Sequence, residues 1–147
     1  MNYIIAEVKI RRVIKESNER LLENVVEFLF ENFEHYNWIG IYIVKENDLI
    51  LGPWKGPQAT EHTKIPIGTG ICGCAAETGK TEIVNNVRTD DRYLSCFAKT
   101  KSEIVVPIKK DGNIVGEIDI DSDKIEAFSN EDKVFLEKVA DMLSKHI

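Results

Sequence analysis

The chain has 147 residues, of which 43% are hydrophobic and 30% charged, with a net charge of −6 and three cysteines. A chain of this length buries roughly 70% of its unfolded surface and needs no disulfide or metal staple, so residues 1–147 read as one domain. The acidic balance, without any basic block, excludes nucleic acid and anionic membrane as expected partners.

Residues 1–12 lack the apolar core of a signal peptide, and the longest apolar run, 38–44, is far too short to span a bilayer. A cytoplasmic, reducing location is therefore expected, where any disulfide is transient or catalytic. Residues 3–15 read as an amphipathic helix carrying Ile4, Ile5, Val8 and Val13. Ser17 is placed to cap a second helix, although Arg20 at the third position leaves that capping box incomplete. This helix runs to about residue 35, with Leu21, Leu22, Val25, Phe28, Leu29 and Phe33 at helical spacing. Residues 1–36 thus form the N-terminal helices, and 37–147 hold the sheet, a ligand pocket and a last helix.

Strands at 38–44 and 49–51 make a hairpin around Lys45-Glu46-Asn47-Asp48. Pro53, Gly56 and Pro57 mark residues 52–64 as a loop. A short strand at 65–67, a glycine-led helix over 68–78 stopped near Gly79 and a brief strand at 82–84 follow. Residues 85–100 are a long polar segment holding Tyr93, Cys96 and Phe97. Strands 103–108 and 113–121 form a second hairpin. Ser129 to Asp132 fits a capping box before a last helix with Val134, Phe135, Leu136, Val139, Met142 and Leu143. The fold class is α+β, a central antiparallel sheet with the N- and C-terminal helices packed on one face.

Carboxylates interrupt this apolar pattern. In Gly116-Glu117-Ile118-Asp119-Ile120-Asp121, alternation sends Ile118 and Ile120 to one sheet face and Asp119 and Asp121 to the other. Glu103 heads the apolar run Ile104 to Ile108, while Lys109 and Lys110 lie at its far end. A three-residue turn at Lys110-Asp111-Gly112, with position 109 paired to 113, sets Glu103 opposite Asp119 on one face. A two-residue Asp111-Gly112 turn would set Glu103 opposite Ile120, on the other face. The three-residue form is expected, because it gathers Glu103, Asp119 and Asp121 into one site. Clustered acids beside a thiol suit a small cationic ligand; a solvated outer face remains the plainer alternative.

Cys72 and Cys74, with Cys96 and His62, offer sulfur and nitrogen ligands, but Cys-x-Cys is tighter than the usual structural zinc spacing, and neither metal nor cofactor is expected. Gly68-Thr-Gly70-Ile-Cys-Gly73 matches a dinucleotide fingerprint in letters only; without βαβ alternation it reads as a tight turn into a helix. Trp38 and Tyr42 share a strand face with Gly40 between them, which leaves a hollow. They serve either the core or an aromatic pocket wall. His35, His62 and His146 read as ordinary surface residues.

Asn37-Trp-Ile-Gly-Ile-Tyr42, Leu51-Gly-Pro53, Ile65-Pro-Ile-Gly68, Gly70-Ile-Cys-Gly73, Lys101-Ser-Glu-Ile-Val-Val-Pro107 and Ile118-Asp-Ile-Asp-Ser122 resemble the free methionine-(R)-sulfoxide reductases, single GAF domains. The resemblance covers Trp38 to the C-terminal helix. It implies a six-stranded antiparallel sheet, a homodimer, free methionine-(R)-sulfoxide as substrate and a thioredoxin-type reductant. It also implies roles: Cys96 as catalytic cysteine, Cys72 as resolving cysteine, Glu103, Asp119 and Asp121 as substrate-binding acids, and Trp38 and Tyr42 as the aromatic wall. The family's further cysteine before the Ile-Pro strand has no counterpart in Gln58 to Pro66, and Cys74 is an added thiol. A GAF sensor of small molecules or redox state, without turnover, is the alternative the fold allows.

Overall fold

The structure, a computed structural model, describes residues 1–95 and 97–147; Cys96 lies outside the described residues. Four helices and six strands follow in the order α1 (Tyr3–Glu16), α2 (Leu21–Asn32), β1 (Trp38–Lys45), β2 (Asp48–Lys55), β3 (Lys64–Pro66), α3 (Gly70–Thr78), β4 (Glu82–Val84), β5 (Ser102–Lys110), β6 (Asn113–Ser122) and α4 (Asn130–Ser144). The strands form one antiparallel sheet in the order β3-β2-β1-β6-β5-β4.

Alternation along the three central strands gives the sheet two unlike faces. Ile39 and Ile41, Ile118 and Ile120, and Ile104, Val106 and Ile108 point to one side, where α1, α2 and α4 close a core. Each fully buried side chain of this size contributes about 1.5–3 kcal/mol. On the other side Tyr42, Leu49, Ile65 and Val105 pack against Ile71, Cys72, Ala75 and Ala76 of α3. The expected packing of the terminal helices on one face is therefore observed, and α3 takes the opposite face. Among the described residues no helix is long and apolar enough to cross a membrane.

Several local readings change. In α1 the buried row is Ala6, Ile10 and Ile14, while Ile4, Ile5 and Val8 face outward; small Ala6 rather than its larger neighbours Ile4 and Ile5 starts the row that meets the core. Ser17 does not cap α2. Its amide and hydroxyl both bond the Val13 carbonyl, at 3.0 and 2.5 Å, closing the end of α1. α2 begins after Arg20, without a side-chain cap, and ends at Asn32. β2 continues to Lys55, beyond the residues read as strand. Pro53 is tolerated there because the β1–β2 ladder bulges between its Gly40–Trp54 and Tyr42–Leu51 pairs, where no amide is required. The glycine string does make a tight turn: Gly68 and Gly70 have positive φ, and Gly68 N–H bonds the Gly73 carbonyl at 2.9 Å.

The β5–β6 hairpin corrects one expectation and keeps its consequence. Lys110 pairs with Asn113, so the turn is the two-residue Asp111-Gly112, both at positive φ as a type I′ turn requires. That turn alone would put Glu103 on the isoleucine face. A bulge between Ile108 and Lys109 inserts Val115 and restores the parity, so Glu103 pairs with Asp121 and not with Asp119.

The capping box at α4 forms as read, and it is the centre of a buried knot. Asp132 Oδ2 accepts from the Ser129 amide at 2.9 Å, and Oδ1 accepts from Tyr36 at 2.6 Å and Tyr3 at 2.8 Å. His35 Nε2 lies 2.9 Å from the same oxygen, so this histidine is a tertiary link and not a surface residue. Burial alone would raise the Asp132 pKa, but hydrogen bonds from His35, Tyr36, Ser129 and Tyr3 outweigh it and bring it down to about 2. A depressed carboxylate adds stability that is present above its unfolded pKa and lost as pH falls through the folded one. Asp132→Ala is expected to cost about 3 kcal/mol, since it strands several buried donors. It should also flatten the loss of thermal stability of the parent chain below about pH 4; an unchanged Tm in the variant would remove the knot from the fold's essentials.

Candidate active site

The face turned toward α3 gathers the acids. Across β1, β6 and β5, Trp38 sits opposite Asp121, Gly40 opposite Asp119 and Tyr42 opposite Glu117, while Glu103 pairs with Asp121 and Val105 with Asp119. Directly opposed residues share a face, so Trp38, Tyr42, Glu103, Glu117, Asp119 and Asp121 all lie on it. Glu103, Asp119 and Asp121 are about 95% buried, which excludes the solvated-face reading.

Glu117 belongs to this group and was not among the residues chosen from sequence. It is fully buried, and neither of its oxygens has a hydrogen-bond partner among the described residues. The same holds for Oδ1 of Asp119 and of Asp121. The signal was available: the alternation that places Asp119 and Asp121 places Glu117 too.

Cys72, one turn into α3, faces these carboxylates. Its Sγ and one oxygen from each of Glu103 and Asp119 lie within 4.8 Å of one another. Cys74 is half-exposed, with its sulfur 3.8 Å from the Gly68 carbonyl, and stands outside the cluster.

The electrostatics follow from burial without a counter-cation. The ion pairs formed by the described residues lie elsewhere; Arg92 is committed to Asp90 and Glu82. Burial, then Asp119 and Asp121, push the Glu103 carboxyl well up. Burial and Asp119 raise Glu117 and Asp121 in the same way, and burial raises Asp119, partly offset by hydrogen bonds with Glu103 and Cys72. Burial, then Asp119, Glu117 and Glu103, push the Cys72 thiol well above its ordinary value. Adjacent carboxyls in such a place share protons instead of all ionising.

Two spaces adjoin the acids. An inner void of about 20 Å³ is lined by Tyr42, His62, Cys72, Leu94, Glu103 and Asp119, among others; it has room for a single water-sized group. An outer cavity of about 400 Å³ is bounded by Trp38, Phe97, Lys99, Thr100, Asp121 and Asp123 with neighbouring loop residues, large enough for a small amino acid. Asp121 lines the outer cavity, and its Oδ2 accepts from the Thr100 hydroxyl at 3.3 Å.

Trp38 lines the outer cavity and Tyr42 the inner void, and no hollow opens over Gly40. The Trp38 indole folds back over that glycine, so that a Cβ there would fall 2.4 Å from Trp38 Cη2. Trp38 stacks on Trp54 with centroids 6.2 Å apart, lies 5.7 Å from the Phe97 ring and donates Nε1–H to the Gln58 carbonyl at 3.2 Å. The Tyr42 hydroxyl donates to the His62 carbonyl at 2.8 Å, and His62 Nε2 lies 3.3 Å from the Ser95 carbonyl. His62 is thus half-buried and joins the loop before β3 to the segment leading to Cys96.

Raised folded pKa values make the acids destabilising as pH increases. A raised carboxyl contributes stability fully present below its unfolded pKa and lost as pH rises through the folded one. Glu117→Gln, which cannot ionise, should therefore gain on the parent chain by up to about 1.4 kcal/mol per pH unit above pH 4.5. Thermal melts from pH 5 to 8 measure this; parallel curves for the two proteins would show that Glu117 is not held protonated.

The GAF domain family matches residues 17–147. The free methionine-R-sulfoxide reductase of Escherichia coli is 34% identical over 124 residues, spanning 84% of this chain and 74% of that protein. That of Saccharomyces cerevisiae is 46% identical over 113 residues, spanning 74% and 62%. The solved structure of the free methionine-R-sulfoxide reductase from Neisseria meningitidis in complex with its substrate superposes with a TM-score of 0.91 at 33% identity, covering 97% of this chain and 86% of that one.

Proposed function

The chain belongs to the GAF domain family and, within it, to the free methionine-R-sulfoxide reductases, and from that membership we propose how residues 1–147, as one folded unit, reduce free methionine-(R)-sulfoxide to methionine. Cys96 attacks the sulfoxide sulfur, and a protonated carboxyl of the Glu103, Asp119, Asp121 group donates to its oxygen. The oxygen passes to Cys96 as a sulfenic acid, and methionine leaves. The remaining carboxylates bind the α-ammonium of the free amino acid, and Trp38 and Tyr42 wall the methyl group. The observation that carries this reading is the set of four buried acids, none of them in an ion pair among the described residues, beside a cavity of amino-acid size. Such a set binds a cation and holds a transferable proton.

Cys72 then condenses with the sulfenic acid. Its sulfur bonds to Cys96, the sulfenic hydroxyl leaves with the thiol proton as water, and Asp119, with an oxygen within 4.8 Å of the thiol sulfur, relays that proton. A thioredoxin-type dithiol in a reducing cytoplasm returns both cysteines to thiols. Burial and the neighbouring acids keep Cys72 protonated and unreactive until a sulfenic partner arrives.

Incubation with free methionine-(R)-sulfoxide and dithiothreitol tests the assignment. Cys96→Ser is expected to abolish methionine formation. Without dithiothreitol, Cys72→Ser should yield one methionine per chain, and it should support no thioredoxin-linked turnover. Asp119→Asn and Asp121→Asn are expected to raise KM at least about tenfold, the loss of one charge-assisted hydrogen bond. Binding of the sulfoxide without product would make the chain a sensor instead.

The homodimer is proposed to form through the outward face of α1. Ile4, Ile5 and Val8 are each at least half exposed there and line a groove of about 580 Å³ with Phe28 and Arg12. One apolar patch that meets its own copy satisfies a two-fold interface. Light scattering should give twice the chain mass for the parent and the single mass for Val8→Glu; a monomeric parent would exclude this arrangement.

A further inference from the structure

The thiol among the buried acids has a second consequence. An α-ammonium takes oxygen acceptors and gains nothing from a sulfur donor. A thiol with carboxylates is instead the donor set of a thiophilic divalent ion such as zinc. The Sγ of Cys72 and oxygens of Glu103 and Asp119 lie within 4.8 Å of one another around a void of about 20 Å³. Bonds of about 2.3 Å to sulfur and about 2.1 Å to oxygen set neighbouring donors about 3.5 Å apart at a tetrahedral centre, so the side chains need to close by little more than 1 Å.

Glu117 supplies an independent sign. It is fully buried and both of its oxygens are unpartnered among the described residues, and Asp119, one of the three clustered donors, likewise leaves its Oδ1 unpartnered. The reaction described above assigns it no individual step. A cation at the void would give this side chain its missing partner, as a fourth ligand or through one water.

We propose that Cys72, Glu103 and Asp119, with Glu117 behind them, bind one zinc-like divalent cation in the reduced chain, and that the bound ion silences the enzyme by withdrawing the resolving thiol and two substrate acids. The binding goes beyond the reductase activity; the silencing rests on that reading.

Cobalt(II) added to the reduced 147-residue chain carrying Cys74→Ser and Cys96→Ser leaves Cys72 as the remaining thiol. One equivalent per chain, with a thiolate-to-cobalt absorption in the near ultraviolet that zinc abolishes, is expected. Adding Asp119→Asn should weaken the affinity at least about tenfold. Absence of the absorption in a folded variant, or an affinity indifferent to Asp119→Asn, overturns the site. Should the double variant not fold, the same titration of the parent chain and of Asp119→Asn alone decides the question by the same two criteria. The titration needs no turnover: a parent chain that binds cobalt through Cys72 but makes no methionine even when metal-free retains the metal site and loses the reductase reading, and the reverse result does the opposite. In the parent chain, one equivalent of zinc should remove at least nine-tenths of the dithiothreitol-supported activity and a chelator should restore it; full activity with zinc bound would overturn the silencing.

Discussion

Four carboxylates held under a helix, none of them in an ion pair among the described residues, are the constraint around which the molecule is arranged. Isolated, each would cost several kcal/mol to bury ionised. Glu103, Glu117, Asp119 and Asp121 persist there because the residues between them, Ile104, Ile118 and Ile120, are anchored in the opposite core. Turning the acids toward water would turn the isoleucines out from beneath α1, α2 and α4. The hydrophobic face thus holds the polar one in place, and the polar one is left with protons to share and a cation to attract. In the reaction we propose, the ammonium of the substrate answers that demand, and a divalent ion would answer it differently because Cys72 stands among the acids.

The hairpin between β5 and β6 shows how closely this arrangement depends on parity. Asp111-Gly112 closes a type I′ turn whose twist suits the strands. That turn by itself would separate Glu103 from the other acids. The extra residue, Val115, in the bulge beside Lys109 shifts the ladder by one and brings Glu103 opposite Asp121. Two irregularities, each able to move every later side chain to the other face, cancel.

The aromatic side of the site is organised by hydrogen bonds to loops. Trp38 and Tyr42 each donate to a carbonyl of the segment between β2 and β3, at Gln58 and His62. His62 in turn reaches the Ser95 carbonyl. The walls of the pocket and the chain next to Cys96 are therefore joined to one another and not only to the sheet. His62, in the segment that lacks the family's further cysteine, serves here as a contact between loops.

Periodicity in the chain determined the elements, the α+β class and the common face of Asp119 and Asp121, because side-chain direction along a strand is a local property with period two. Glu117 was legible by the same rule. The Ser129 capping box was legible because its partners lie three residues apart. What tertiary structure alone decided were facts that depend on distant neighbours: that Glu103 meets Asp121, that Asp132 gathers Tyr3, His35 and Tyr36, that the Trp38 ring fills the space over Gly40, and that α1 buries Ala6 and leaves Ile4 outside. A bulge, a ring rotamer and the choice of helix face are settled by packing between segments far apart in the chain, and no local pattern of residues encodes them.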